Sequence, residues 1–185
     1  MFWQREYERE AVAMTLNGDY LLDLPEHGLL GSILLRFSGT DVSGYGQAGG
    51  DWRIIDKISK IQVLLNGATI CKSLTGKCAQ ALSFYDDRVV APDTWRNYAA
   101  NVQWCYVLIN FGRNLFDDQY GLDLAKYKNV QLQITNTATA ASHFADLAVS
   151  VMAFYLREAP AGFRGHLRSD EWRSWTTVAD ETKYH

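Results

Sequence analysis

The segment Leu74-Thr75-Gly76-Lys77-Cys78 carries the Gly-Lys step that closes a phosphate-binding loop. That chemistry needs an earlier glycine at fixed spacing and a Ser or Thr after the lysine to hold Mg²⁺. The earlier glycine is missing, and Cys78 stands where the hydroxyl is required. A helix start after a hairpin is the better reading. The four histidines, at 27, 143, 166 and 185, are scattered, with no H-x-H or H-E-x-x-H spacing for a zinc or cupin-type centre. There is no G-x-S-x-G elbow. Nothing in the spacing points to an enzyme. Acidic pairs stand at Asp86-Asp87 and Asp117-Asp118, the second followed by Asp123. Hard oxygens clustered in a loop can take Ca²⁺. The alternating acidic spacing of an EF-hand is absent, so solvated loops are the favoured reading. Asp117 and Asp118 remain the only metal candidates, and no other cofactor is implied.

A second constellation has the chemistry of contact rather than catalysis. Between Asp93 and Leu124 lie Trp95, Arg96, Tyr98, Trp104, Tyr106, Arg113 and Tyr120, and the tail adds Trp172 and Trp175. Aromatics and arginine are enriched at protein interfaces. Trp95, Arg96, Tyr98, Arg113, Trp172 and Trp175 are therefore the assembly candidates. An aromatic core with capping loops explains the same residues equally well. Tyr45 and Trp52, beside a loop with glycines at 39, 44, 46, 49 and 50, could instead stack on sugar rings. That is the alternative reading: a carbohydrate-binding jelly-roll module of a spike or receptor-binding protein.

The elements that must position these residues read mainly as strands. Expected strands run from Tyr20 to Leu24, Leu29 to Phe37, Ile58 to Leu65, Ala68 to Leu74, Val102 to Phe111, Val130 to Thr135 and Asp146 to Leu156. Asn66-Gly67 between two apolar runs predicts a type I′ hairpin, since both central residues must accept positive φ. Cys78, Ala81, Leu82 and Tyr85 repeat at helical spacing, which predicts a short helix over 75–87 capped by Thr75. The stretch from Val102 to Phe111 is apolar on both faces and must be covered on both sides, one of them by a helix, a loop or a neighbouring subunit. VQLQIT (130–135) alternates strictly and should be half exposed.

Seven strands with one inserted helix suit an all-β fold, an antiparallel β-sandwich or jelly roll, and not a parallel α/β fold. The expected organisation is an arm over 1–15, a jelly roll over 16–158, and a linker plus tail over 159–185. Glu6, Glu8 and Glu10 alternating with Arg5 and Arg9 read as a solvated arm.

The 185 residues suffice for one domain with a real core. Apolar residues at 48% and charged residues at 21% exclude global disorder. A net charge of −3 argues against coating nucleic acid, which needs clustered Lys and Arg. The three cysteines, Cys71, Cys78 and Cys105, form no C-x-x-C pair and read as reduced, mostly buried thiols. No leader peptide is expected from the charged first ten residues. The apolar run from Leu147 to Leu156 is too short for a membrane span.

The segments LPEHGLLGSILLRFSGT (24–40), PDTWRNYAANVQWCYVLINFGR (92–113) and LFDDQYGLDLAKYKNVQLQITN (115–136) resemble a viral coat family. It is the N-terminal jelly roll of major capsid proteins from tailless icosahedral phages with an internal membrane, of the corticovirus type. EWRSWTTVADETKY (171–184) resembles the opening of the second jelly roll of those proteins. The resemblance implies a viral jelly roll that forms half of a double jelly roll standing upright in the shell. It implies a trimeric, pseudo-hexagonal capsomer contacting neighbouring capsomers and minor capsid proteins above a lipid membrane. The protein would be made in the host cytoplasm, reside in the virion capsid and bind no specific nucleic-acid sequence. Calcium has a role in some such shells, which adds weight to the Asp117-Asp118 loop. The second jelly roll should begin where this sequence stops, so the tail is expected to be its start or a segment docking on a partner.

Overall fold

Residues 2–42, 53–90, 92–94, 101–141, 143–158 and 162–171 are described by a computed structural model of the chain. The Gly-rich loop with Tyr45 and Trp52, and the assembly candidates Trp95, Arg96, Tyr98, Trp172 and Trp175, lie outside the described residues.

Eight strands of five or more residues build two facing sheets. They are β1 (Phe2–Ala13), β2 (Asp19–Asp23), β3 (Leu29–Thr40), β4 (Ile58–Leu65), β5 (Thr69–Leu74), β6 (Val102–Asn110), β8 (Val130–Asn136) and β9 (Ala148–Arg157). Two-residue strands β7 (Leu122–Asp123) and β10 (Ser169–Asp170) attach to their edges. One sheet has the order β1-β9-β3-β6, with β7 on β3, and the other β10-β5-β4-β8-β2. Apart from the parallel β10–β5 pair, neighbours run antiparallel. Successive long strands keep switching sheets, and the last one inserts between the first and third. This is the double Greek key of a jelly roll.

Alternation puts one face of each strand into the core. Ile33, Leu35 and Phe37 of β3, Val107 and Ile109 of β6, and Val149 and Val151 of β9 meet Ile61 and Val63 of β4 and Leu132 and Ile134 of β8. Strand β8 is half exposed, as its alternation predicts. The Asn66-Gly67 hairpin also forms as expected, with φ of 53° and 75° at its two central residues. The amide of Ala68 donates to the Leu65 carbonyl across the turn.

Three differences from the sequence reading have physical causes. Residues 2–13 are not a solvated arm. They form β1, paired along β9 from Phe2↔Arg157 to Ala13↔Ala148. Three of its polar side chains find partners on β9: Arg157 binds Gln4 and Glu6, and the Tyr155 hydroxyl donates to Glu8 at 2.6 Å. Second, two helices occur rather than one, α1 (Ile54–Lys57) and α2 (Gly76–Asp87). Helix α2 has the expected Thr75 cap, whose hydroxyl accepts from the Cys78 amide at 3.3 Å. Its buried side is Gly76, Ala79 and Ser83, however, while Ala81 and Tyr85 are exposed. Small residues are selected there because the helix lies close against β6 and α1. Third, the core face of β6 is Cys105, Val107 and Ile109, so Trp104 and Tyr106 stand half-buried on the outer face.

Candidate functional site

The lysine of the Gly-Lys step has a structural partner. Lys77 pairs with buried Asp56 at 3.3 Å, and Arg53 reaches the same carboxylate at 3.5 Å. The start of α2 faces a carboxylate of this chain: the Thr75 amide donates to Glu171 Oε2 at 3.2 Å. No phosphate cradle is formed by these contacts.

The acidic loop after β6 is organised around Asp117. Its carboxylate accepts from Arg113 Nε at 2.8 Å, Arg113 Nη2 at 3.0 Å, and the amides of Arg113 and Gln119 at 2.9 and 3.0 Å. These donors hold its carboxyl well below the usual carboxylate range, with the Arg113 hydrogen bonds as the main cause. Gly112 makes the turn possible, since a β-carbon there would lie 2.7 Å from Asp117 Cβ. Both oxygens of Asp117 therefore face N–H groups, and Asp118 is exposed beside it. Among the described residues, no three His, Cys, Asp or Glu side chains converge as a metal set.

Arg113 is the one assembly candidate inside the described residues. Its side chain is 57% exposed, yet its guanidinium is clamped by Asp117 and sits 5.2 Å from the centre of the Tyr120 ring. A pre-ordered arginine loses little rotamer freedom on contact, which is what an interface anchor requires. The same loop exposes Phe116, whose ring packs edge-on against Trp3 and Phe154 at 5.4 and 5.8 Å. The sequence reading missed this link, because Trp3 was assigned to a solvated arm.

The sequence reading also missed a cavity of about 410 Å³ beside α2. It is lined by Arg53, Lys77, Gln80, Phe84, Tyr85 and Asp93. Asp93 is nearly buried with one carboxyl oxygen lacking a hydrogen bond, and burial raises its pKa. No local motif announces it, since its polar groups come from three separated segments.

The cysteines are free and match expectation: Cys71 and Cys105 are buried. Burial pushes the Cys71 thiol up to about 11 and the Cys105 thiol higher still, so neither is a nucleophile at neutral pH.

One edge of each sheet, at β6 and at β5, is covered by side chains and short segments. On the outer edge of β6, Thr94 Oγ1 bonds the amide of Trp104, the Thr94 amide bonds its carbonyl, and the Tyr106 amide donates to Pro92. Further along, Ser83 of α2 bonds both backbone groups of Leu108. On the other sheet, β10 covers β5, held by Lys72 Nζ donating to Ser169 Oγ at 2.9 Å and the Glu171 amide donating to Ser73. Such covering prevents uncontrolled strand pairing between molecules.

No protein-family model matches the chain, and no curated protein matches it. Solved structures do. The major capsid protein of Sulfolobus turreted icosahedral virus superposes with a TM-score of 0.60 at 12% identity, over 85% of this chain and 49% of that one. VP54 of the PBCV-1 virus capsid gives 0.58 at 12% identity, over 83% and 41%. The major capsid protein P2 from bacteriophage PM2 gives 0.53 at 15% identity, over 86% and 52%. This chain thus spans about half the length of these proteins. At such identities the likeness is one of fold, and the chain has the jelly-roll fold of these viral major capsid proteins.

Proposed function

We propose that this chain is a structural subunit of a viral capsid. The observation that carries the reading is the jelly-roll fold, with β1-β9-β3-β6 facing β2-β8-β4-β5, which superposes on viral capsid proteins over more than four-fifths of this chain. The covered edges support it. Closing β6 and β5 removes strand pairing at those two edges and favours specific contacts through sheet faces and loops over open-ended β-pairing there.

In this reading the jelly roll is half of a double jelly roll from a bacteriophage of the internal-membrane type. Copies form a homo-oligomeric capsomer, three to a ring, that meets neighbouring capsomers and minor capsid proteins over a lipid membrane. The protein is made in the host cytoplasm and ends in the virion shell, with no catalytic step and no sequence-specific contact to nucleic acid. Arg113 serves as an anchor at a copy-to-copy contact, as do Trp95, Arg96, Tyr98, Trp172 and Trp175. Calcium at Asp118 is retained only as a ligand to be titrated.

Light scattering and negative-stain microscopy of the purified chain, across a concentration series, test the reading. Discrete oligomers that grow into shell fragments are expected, and Arg113→Glu should weaken them while leaving the circular dichroism spectrum intact. A chain that stays monomeric throughout overturns the proposal. Normal assembly by Arg113→Glu removes that residue from the contact.

A further inference from the structure

The two outer faces of the sandwich differ in chemistry. On the β2-β8-β4 side, Gln131 and Gln133 of β8 donate to Asp23 and Asp19, and Thr135 donates to Asp19. That ladder is built for water. On the opposite sheet the outer face carries Trp104 and Tyr106, packed edge-on at 5.6 Å, together with Leu34, Leu108, Met152 and the 63%-exposed ring of Tyr7. Phe116 covers one end of this face through Trp3 and Phe154. Among the described residues nothing covers the rest, which surrounds a hollow of about 100 Å³ bordered by Tyr7, Glu10, Arg36, Tyr106, Ser150 and Met152.

Two opposite charges border that hollow without meeting. Neither Glu10 nor Arg36 has a hydrogen bond or ion pair among the described residues. The register explains why. Arg36 of β3 stands opposite Ser150 of β9. On the other side of β9, Ser150 Oγ accepts from the Ala11 amide, in the irregular stretch of β1 between Arg9↔Val151 and Val12↔Val149 that holds Glu10. Glu10 and Arg36 thus sit in one row, one strand to either side of β9, and adjacent strands are about 4.8 Å apart. A half-turn about an axis along β9, laid over this face, exchanges the two flanks. It sets Arg36 of each copy against Glu10 of the other and places Ser150 and Met152 against themselves.

We propose that the open face of the β1-β9-β3-β6 sheet is a self-complementary contact whose partner is a second copy of this chain, related by a two-fold axis along β9. The proposal deepens the assembly reading above and rests on it. Charge complementarity selects this occupant. Hydrocarbon would leave both charges unpaired, at a high desolvation cost. A second copy pairs all four and buries Tyr7, Met152 and Leu34, which lie in the neighbouring row of the same three strands. Because the contact is isologous, it closes a pair. It therefore joins two capsomers rather than completing a ring of three.

Met152→Cys, treated with a short bismaleimide, tests the geometry, because a residue on the axis meets itself across sheets about 10 Å apart, beyond disulfide reach but within that of the linker. A covalent dimer is expected from this variant. Because Cys78 is only half-buried, this variant and Gln133→Cys are both made in a Cys78→Ser background. No dimer is expected from that background, whose Cys71 and Cys105 are buried, or from Gln133→Cys on the polar face. Charge reversal tests the chemistry without relying on that variant. Arg36→Glu and Glu10→Arg should each weaken association about tenfold or more, and the double variant should restore it. Single reversals that leave association unchanged, or cross-linking equal at positions 152 and 133, overturn the proposal. Oligomers that form without a 152 cross-link place the contact elsewhere, and the assembly reading survives. A wild type that never associates overturns both.

Discussion

The Ser83 hydroxyl lies 3.0 Å from the amide nitrogen of Leu108 and 2.7 Å from its carbonyl oxygen. One side chain on α2 thus does for the edge of β6 what a further strand would do for one residue pair. Its position also fixes how the helix is rotated. Removing the hydroxyl by Ser83→Ala leaves a backbone pair without its partner, at a cost of about 1–3 kcal/mol. Urea unfolding should show that loss. A midpoint equal to wild type would mean that water replaces the hydroxyl.

Gly76 sets two effects against each other. In the first turn of a helix, alanine gains up to about 1 kcal/mol over glycine by propensity. A β-carbon at 76, however, would lie 2.6 Å from the Ile55 carbonyl oxygen and 2.9 Å from Ile58 Cβ. Both neighbours belong to the buried junction of α1 with β4, so the clash should win. Gly76→Ala is expected to destabilise by about 1–3 kcal/mol, the usual cost of overpacking. A stabilised variant in thermal melts would show that α1 yields.

Arg88 ends α2 in the left-handed region, with φ of 55° and its amide bonded to the Phe84 carbonyl at 2.7 Å. Glycine is the residue that fits this cap without steric cost. Arg88→Gly should therefore raise stability by about 0.5–1 kcal/mol. A lower melting temperature would assign the Arg88 side chain a role of its own.

Asp117 predicts an acid limb. Its carboxyl is depressed by Arg113 and the backbone amides, so the unfolded chain binds that proton more readily than the folded one. The stabilisation is fully present above the ordinary carboxylate range near pH 4 and is lost progressively as pH falls below it toward the folded value. Asp117→Asn should cost about 1.5–3 kcal/mol at neutral pH, since charged hydrogen bonds are removed. The gap between wild type and variant should narrow below about pH 4. A gap constant from pH 7 to 2 would sink the assignment.

Legibility in the sequence followed locality. The Asn66-Gly67 turn and the Thr75 cap are specified within four residues, and both stand where the spacing places them. The seven expected strands likewise follow from short-range patterns, some of them continuous apolar runs and others alternating. Strand β1 escaped because its alternation sets charge against charge, which looks like solvated chain until Arg157 and Tyr155 supply partners about 150 residues away. The helix face was misjudged for a related reason. Periodicity marks Tyr85 as inward, whereas contact with the β6 backbone selects Ser83. For the acidic loop, composition favoured solvated carboxylates with Ca²⁺ as the lesser reading, whereas Asp117 is buried and Arg113 four residues before it supplies a cation from within the chain. The Glu10–Arg36 row depends on register across β9, which no local pattern encodes.

The insertion of β9 between β1 and β3 has a consequence for timing. During synthesis the hairpin of β4 and β5 can close early, and β8 can join it before β9 exists. The opposite sheet cannot: its central strand follows every other long strand described, and until it emerges β1 has no neighbour among them. Contacts spanning nearly the whole chain make this closure the slow step of folding. The open outer face, with Ser150 and Met152 at its middle, comes into being only at that step. A nascent chain therefore has no such surface to offer, and association through this face is delayed until the jelly roll is complete.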